Sequence, residues 1–437
     1  MTPNIYNLKG GGTLTVCHTD RFKSGLLSIS FALPIEHTQV WKTSLLLSVL
    51  RRGTQKYPTL ADINQRLDYL YGTDLSLRNF YRGDAQIIGF CADILNEELL
   101  PDREDLFMGT LDVIHQLLFE PRLDENGLLC EKYVESEKQQ QCDQIRAQKN
   151  NPRGYASECC RELLYKNDPC GKPVLGSIEE LRAITPRELT AHWKSLLASL
   201  TPTCFFIGAA VPERVKDTIE HMLCDALSHY RAPNKPQFTI TKVGARGRAI
   251  CREGSLPVGQ SQLVLGLHTG VALTDAAYCA CALYNELLGA SPISKLFMNV
   301  RERLSLCYFC SSHYNAFKGT ITVHCGLDRD KRKRAEREIR SQIRALAQGN
   351  FTEDELLAAK QSITNAYRQL SDNPAALESF YCGRRLAGIS TTPQEMCQAF
   401  EAVTKAEVIA VAKAVTINAV YFLNGTLDQE APNDEND

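Results

Sequence analysis

The sequence predicts an α+β fold made of two tandem, homologous αβ domains, and three observations carry that prediction. The chain has 437 residues, too many for one ordinary core at roughly 100 to 200 residues per domain. Strand-period and helix-period segments follow one another in the same order in each half. Two short segments also recur about half a chain length apart: LRAITPREL (Leu181–Leu189) is echoed by FEAVTKAEV (Phe400–Val408), and LLCEK (Leu128–Lys132) by LLAAK (Leu356–Lys360).

Thr404 follows Thr185 by 219 positions (404 − 185), and each threonine has a glutamate three residues later. That spacing before apolar periodicity is a capping box, so both threonines should start a helix. The strands that follow, Cys204 to Ile207 and Ala419 to Leu423, each close a half. The second echo ends in Asn-Pro at 151–152 and again at 373–374. A proline disfavours helical dihedrals in its predecessor, so a long helix should stop before each.

In the first half, Gly12 to Leu33 reads as two strands, with alternation in LSISF (Leu27–Phe31). A helix from about His37 to Arg52 should stop at Gly53 as its C′ residue. Thr59 caps the next helix, whose apolar face is Leu60, Ile63, Leu67 and Leu70. Strands are expected over about 74–92, and helices over about 103–119 and 125–149. The second half repeats the plan: a strand at Leu263, Leu265 and Leu267, a helix over about 275–288, a strand at Ile321, Val323 and Cys325, and helices over about 330–348 and 353–370. Pro and Gly punctuate a polar stretch between the halves, which places the domains at 1–231 and 260–426 with a linker at 232–259. The tail 427–437 is acidic and lacks an apolar pattern, which reads as disorder.

A 44% hydrophobic and 23% charged composition with a net charge of −2 is that of an ordinary soluble protein and argues against a nucleic-acid binder. Met1 to Gly12 has no basic n-region followed by an apolar core, and no uncharged apolar run reaches about 18 residues, so no membrane span is expected and the location reads as cytoplasmic. The 17 cysteines then read as reduced thiols packed as small apolar groups. Cys307 and Cys310 have C-x-x-C spacing but lie in an apparent strand rather than at a helix start, which reads against a redox or metal role. None of the nine histidines sits three or four residues from another, so no helical pair of imidazoles is available.

The stretch LLGASPISKLF (Leu287–Phe297) followed by VRERLSLCY (Val300–Tyr308) resembles the insulinase/pitrilysin zinc peptidases. Their pattern is a Leu-Gly turn, a Ser-x-Leu-Phe helix, then Arg-Glu-Lys-x-x-Leu-x-Tyr. The duplication and Gly53-Thr54 after a helix extend the likeness over nearly the whole chain. The resemblance implies, for each half, an antiparallel-rich sheet packed on one side by helices, as in mitochondrial processing peptidase. It also points to a metal-free type, similar to firmicute proteins labelled elongation factor P modification-associated.

Active members of that family carry H-x-x-E-H on the first helix and a further glutamate ligand on the long helix. Anchored on Gly53-Thr54, the two histidine positions are Ser44 and Ser48 and the general-base position is Leu47. Anchored on Ile145 and Pro152, the third ligand position is Gln144, while Glu137 matches an acidic residue seven positions earlier. A hydroxyl and an amide are poor ligands for zinc, and leucine cannot accept a proton, so no cofactor is expected in this chain. Arg301 and Tyr308, by contrast, match the types and spacing of the arginine and tyrosine that complement the zinc site in active relatives. The resemblance therefore implies a non-catalytic subunit paired with an H-x-x-E-H homologue that holds the zinc. In that reading Arg301 and Tyr308 bind the substrate carbonyl and oxyanion of a peptide. The competing expectation is a structural or peptide-binding scaffold, in which Arg301 merely ends its helix and Tyr308 is a rim aromatic.

Overall fold

A computed structural model describes residues 3–35, 40–101, 105–230 and 240–427. The chain forms two compact units: Met1–Ile145 with Lys172–Thr239 and Leu370–Ser390, and Arg146–Gly171 with Ile240–Gln369 and Thr391–Asp437.

The first unit holds six strands: β1 (Asn4–Asn7), β2 (Thr13–His18), β3 (Ser24–Pro34), β4 (Asp74–Arg82), β5 (Ala85–Leu95) and β6 (Pro202–Gly208). They lie in the order β1-β2-β6-β3-β5-β4. Every pairing is antiparallel except β2 with β6. The second unit holds β7 (Ile250–Leu256), β8 (Ser261–His268), β9 (Phe309–Asn315), β10 (Thr320–Leu327) and β11 (Thr416–Gly425), in the order β7-β11-β8-β10-β9. Here too one pair is parallel, β7 with β11. Set aside β1, and the two sheets have the same connectivity: first strand, last strand, second, fourth, third. The sequence echo is thus a duplication of topology, with β6 and β11 as the equivalent closing strands.

Alternation in β3 does what its pattern requires. Leu27, Ile29 and Phe31 enter the main core together with the helix Val40–Leu50 and the helix Leu106–Phe119. Ser28 and Ser30 point to the opposite face, which in the first unit is covered by the helix Pro374–Leu386: Ser28 Oγ donates to Glu378 Oε1 at 2.9 Å. The second unit has an equivalent, the helix Pro152–Leu164, packed on β8 and β11. A Cβ on Gly266 of β8 would lie 3.0 Å from the Leu164 side chain, so glycine sets how closely this helix approaches. Each sheet is therefore built from one half of the sequence and covered on its second face by a helix from the other half.

The Asn-Pro repeats mark those two exchanged helices. Each proline begins a helix as well as following one: Asn151 Oδ1 accepts from Gly154 N at 3.0 Å, and Asn373 Oδ1 accepts from Ala376 N at 3.1 Å. Proline at the first helical position after an asparagine cap is favourable because its missing N–H would have had no partner there. The expected capping boxes form at Thr59, Thr185 and Thr404, and Ser177 and Thr392 add two more.

Some expectations change. The helix placed at 125–149 starts at Glu131, because Asp124 to Leu128 make a tight turn closed by Leu128 N on Asp124 Oδ1 at 2.8 Å. Within the stretch read as a linker, 232–239 lie outside the described residues, and Ile250–Leu256 form β7. Gly53 does follow the first helix, but its role is close approach and not a left-handed turn: an added Cβ would lie 2.2 Å from the Pro58 carbonyl oxygen. The start of that helix at His37, the residues 102–104 and the tail beyond Leu427 lie outside the described residues.

Candidate functional site

The helix Val40–Leu50 buries nine of its eleven residues, so nearly all of its faces meet protein. Ser44 is 4% exposed, and its hydroxyl is fully engaged. It accepts from Asn79 Nδ2 on β4 at 2.7 Å and lies 3.0 Å from both the Val40 and Val174 carbonyl oxygens, to which it donates. Asn79 Oδ1 accepts from Gln86 Nε2 of β5 at 2.9 Å, and the same amide donates to the Val40 carbonyl at 3.2 Å. Ser48 Oγ turns back to the Ser44 carbonyl at 3.4 Å. Leu47 is buried in the hydrophobic core of the first unit.

On the long helix Glu131–Ala147, Gln144 is exposed, while Gln141 turns inward and donates from Nε2 to the Leu175 carbonyl at 2.8 Å. Ser44 and Gln141 thus hold two consecutive carbonyls of one loop, Val174 and Leu175. Glu137 is buried beside Arg52, with Oε1 3.5 Å from Nε. Burial pushes its carboxyl up and Arg52 pulls it back down. Nearby on the first helix, Thr43 Oγ1 lies 2.9 Å from His192 Nε2. Burial, assisted by Lys42, lowers that imidazole to about 4, so it is neutral at pH 7.

These residues do not fit a zinc ion. The Ser44 hydroxyl, at the position expected for the first histidine, is bonded to neutral neighbours, Leu47 at the expected base position is an alkyl group in the core, and Gln144 at the expected third-ligand position faces solvent. What stands there is a neutral network that satisfies itself. Sequence reasoning missed Asn79, Gln86 and Gln141. For Gln141 a signal was present: Val134, Lys138, Gln141 and Ile145 follow helical spacing, which turns position 141 inward and leaves 144 outside.

Arg301 and Tyr308 lie in the second unit, on either side of a helix-to-strand turn. Arg301 belongs to the helical segment Phe297–Arg303, and its side chain is 41% exposed. The guanidinium sits 4.7 Å from the Phe297 ring centroid, and Nη1 is 3.4 Å from Glu302 Oε1. Ser305 then adopts φ 47°, which reverses the chain, while Ser305 N donates to the Arg301 carbonyl and Leu306 N to the Val300 carbonyl, each at 3.0 Å. Tyr308 N donates to the Gly326 carbonyl at 2.8 Å, which starts the pairing with β10. Tyr308 is 49% exposed, and its hydroxyl donates to Asp328 Oδ1 at 2.7 Å. Lys331, 2.8 Å from Asp328, and then Tyr308 hold the Asp328 carboxyl below its ordinary range.

Comparison with known proteins agrees with this architecture. Residues 183–363 match the peptidase M16 inactive domain. A Bacillus subtilis protein described as "Probable inactive metalloprotease YmfF" is 28% identical over 95% of this chain and 96% of its own. The chain carries a peptidase M16 inactive domain and is homologous over nearly its whole length to this inactive relative. Among solved structures, a conserved protein from Enterococcus faecalis superposes with a TM-score of 0.86 at 24% identity, covering 98% of this chain and 100% of the other. A peptidase M16 inactive domain from Pseudomonas fluorescens gives 0.78 at 16% identity, over 99% of this chain and 100% of that one. These two show the fold of this M16 homologue. Among its described residues no helix is long and apolar enough to cross a membrane.

Proposed function

We propose that this M16 homologue is the non-catalytic subunit of a two-chain zinc peptidase, in which an H-x-x-E-H homologue holds the metal and this chain contributes Arg301 and Tyr308 to a shared peptide-cleaving site. One contrast carries the reading. At the expected zinc-ligand positions Ser44 is bound into a neutral network, Leu47 lies in the core and Gln144 faces solvent, whereas Arg301 and Tyr308 keep the family types and present half-exposed polar groups. The guanidinium offers a planar fork of donors to a substrate carbonyl. The phenol donates to an oxyanion once it turns away from Asp328. Co-expression with an H-x-x-E-H homologue, followed by size exclusion and a fluorogenic peptide assay, tests this. Arg301→Ala should leave the pair assembled and reduce kcat/KM about 100-fold or more, the scale of one lost oxyanion donor. Unchanged hydrolysis by the variant pair would remove Arg301 from the site.

A second reading, a structural or peptide-binding scaffold, is favoured by one observation. Tyr308 already spends its proton on Asp328, and Arg301 is already placed against Phe297 and Glu302. Under that reading the Arg301→Ala pair hydrolyses peptide normally.

A further inference from the structure

Behind the Arg301–Tyr308 turn lies a group of side chains that the zinc-peptidase reading does not use. Cys310 on β9 stands directly opposite Cys325 on β10 in the antiparallel register, so both thiols point to the same face of the sheet. They are 3% and 1% exposed. Cys307 would lie on the other face if β9 simply continued backwards, because a strand alternates. The reversal at Ser305 and the delayed start of pairing at Tyr308 instead bring Cys307 onto the side of the other two. The three sulfurs all lie within 4.8 Å of one another. Among the described residues, no other group with metal-ligand spacing is made of cysteines alone.

We propose that Cys307, Cys310 and Cys325 form a three-thiolate site for a soft d10 cation, Zn2+ or Cu+. With metal–sulfur bonds of about 2.3 Å, three sulfurs around one ion stand about 4 Å apart, so the observed spacing needs only small side-chain rotations. Soft thiolates select this class of cation over Mg2+ or Ca2+. Cys307 is half-buried, which leaves one side open for a water as the fourth ligand of Zn2+, while Cu+ is satisfied by three sulfurs.

Electrostatics points the same way. The Cys307 thiol is held well below its ordinary range, first by hydrogen bonds from Cys310 and Cys325 and then by Arg301 and Lys331. The Cys310 and Cys325 thiols are pushed up in turn, first by the hydrogen bonds they give to Cys307 and then by burial. A bound cation takes the place of the shared protons, which leave to solvent on binding. The site would fix the turn that presents Arg301 and Tyr308, but it stands whether or not those residues act on peptide.

The test uses the full chain, reduced and metal-free, titrated with Co2+ as a spectroscopic probe. Zn2+ and Cu+ are then titrated separately against chelators of known affinity to decide which cation is preferred. One equivalent of Co2+ with a sulfur-to-metal charge-transfer band is expected. Cys307→Ser, at the half-exposed position and thus least disruptive to folding, should weaken binding by well over about tenfold, since losing even an outer partner of a ligand costs about 10 to 100-fold. Cys251→Ser, an exposed cysteine on β7, should bind as the parent does. Cys310→Ala and Cys325→Ala, checked for folding by circular dichroism, should also lose the band. The proposal is overturned if the band is missing, if Cys307→Ser binds normally, or if peptide mapping of the reoxidised chain shows these cysteines in a disulfide while the reduced chain takes up no cation.

Discussion

The Asn79 side-chain amide donates to the Ser44 hydroxyl at 2.7 Å, joining β4 to the first helix. Around that bond the first unit is packed for neutrality. Reinstating the family motif by the triple change Ser44→His, Leu47→Glu and Ser48→His therefore places a carboxylate where Leu47 is 4% exposed. It also evicts Ser44 from its contacts with Asn79, Val40 and Val174. We expect a loss of about 3 kcal/mol or more in unfolding free energy by urea titration, with no gain of peptidase activity. A triple variant as stable as the parent would show that the site can still open to a charged group.

On the other face of the same sheet, Arg78 and Glu378 form a buried ion pair with Nη1–Oε1 at 2.6 Å, and Ser28 donates to the same carboxylate oxygen at 2.9 Å. Burial opposes the charge on Arg78, but Glu378 outweighs it and the guanidinium stays charged. Glu378→Ala strands that charge and should cost about 3 to 5 kcal/mol, as removing one partner of a buried pair does. The double variant Arg78→Met with Glu378→Leu should recover much of the loss, which thermal denaturation of the three proteins would measure.

Acid sensitivity has a definite sign. His192 and His324 are each lowered to about 4, in both cases mainly by burial. As pH falls, the unfolded chain takes up these protons near the ordinary histidine value while the folded chain does not. Stability is therefore full at neutral pH and is lost between about 6.5 and 4, at up to about 1 to 3 kcal/mol per histidine. Glu137, whose folded value is raised, works in the opposite direction and gains stability as pH falls. Melting curves across that range should show His192→Gln flattening the acid loss and Glu137→Gln steepening it.

How far the fold could be read in advance depended on whether a signal was local. Thr185 and Thr404, each with a glutamate three residues on, place helix starts without any knowledge of the rest of the chain, and β6 and β11 follow as expected. The Asn-Pro repeats were visible too, but the fact that each starts a helix covering the other half's sheet depends on long-range packing. In the candidate site, Ser44 and Leu47 were located through spacing to Gly53, whereas Asn79 and Gln86 reach Ser44 only because β4 and β5 pair beside it. Cys325 illustrates the same limit. It lies 15 positions after Cys310 (325 − 310), and only the β9–β10 register brings the two together.

On the proposed function, the first helix of this M16 homologue supports no hydrolysis and any activity needs a second chain. This is tested most directly by assaying the isolated, zinc-supplemented chain and the reconstituted pair on the same fluorogenic peptide, with and without a chelator. No hydrolysis is expected from the isolated chain, and chelator-sensitive hydrolysis that falls sharply with Arg301→Ala is expected from the pair. Chelator-sensitive cleavage by the isolated chain would contradict that function.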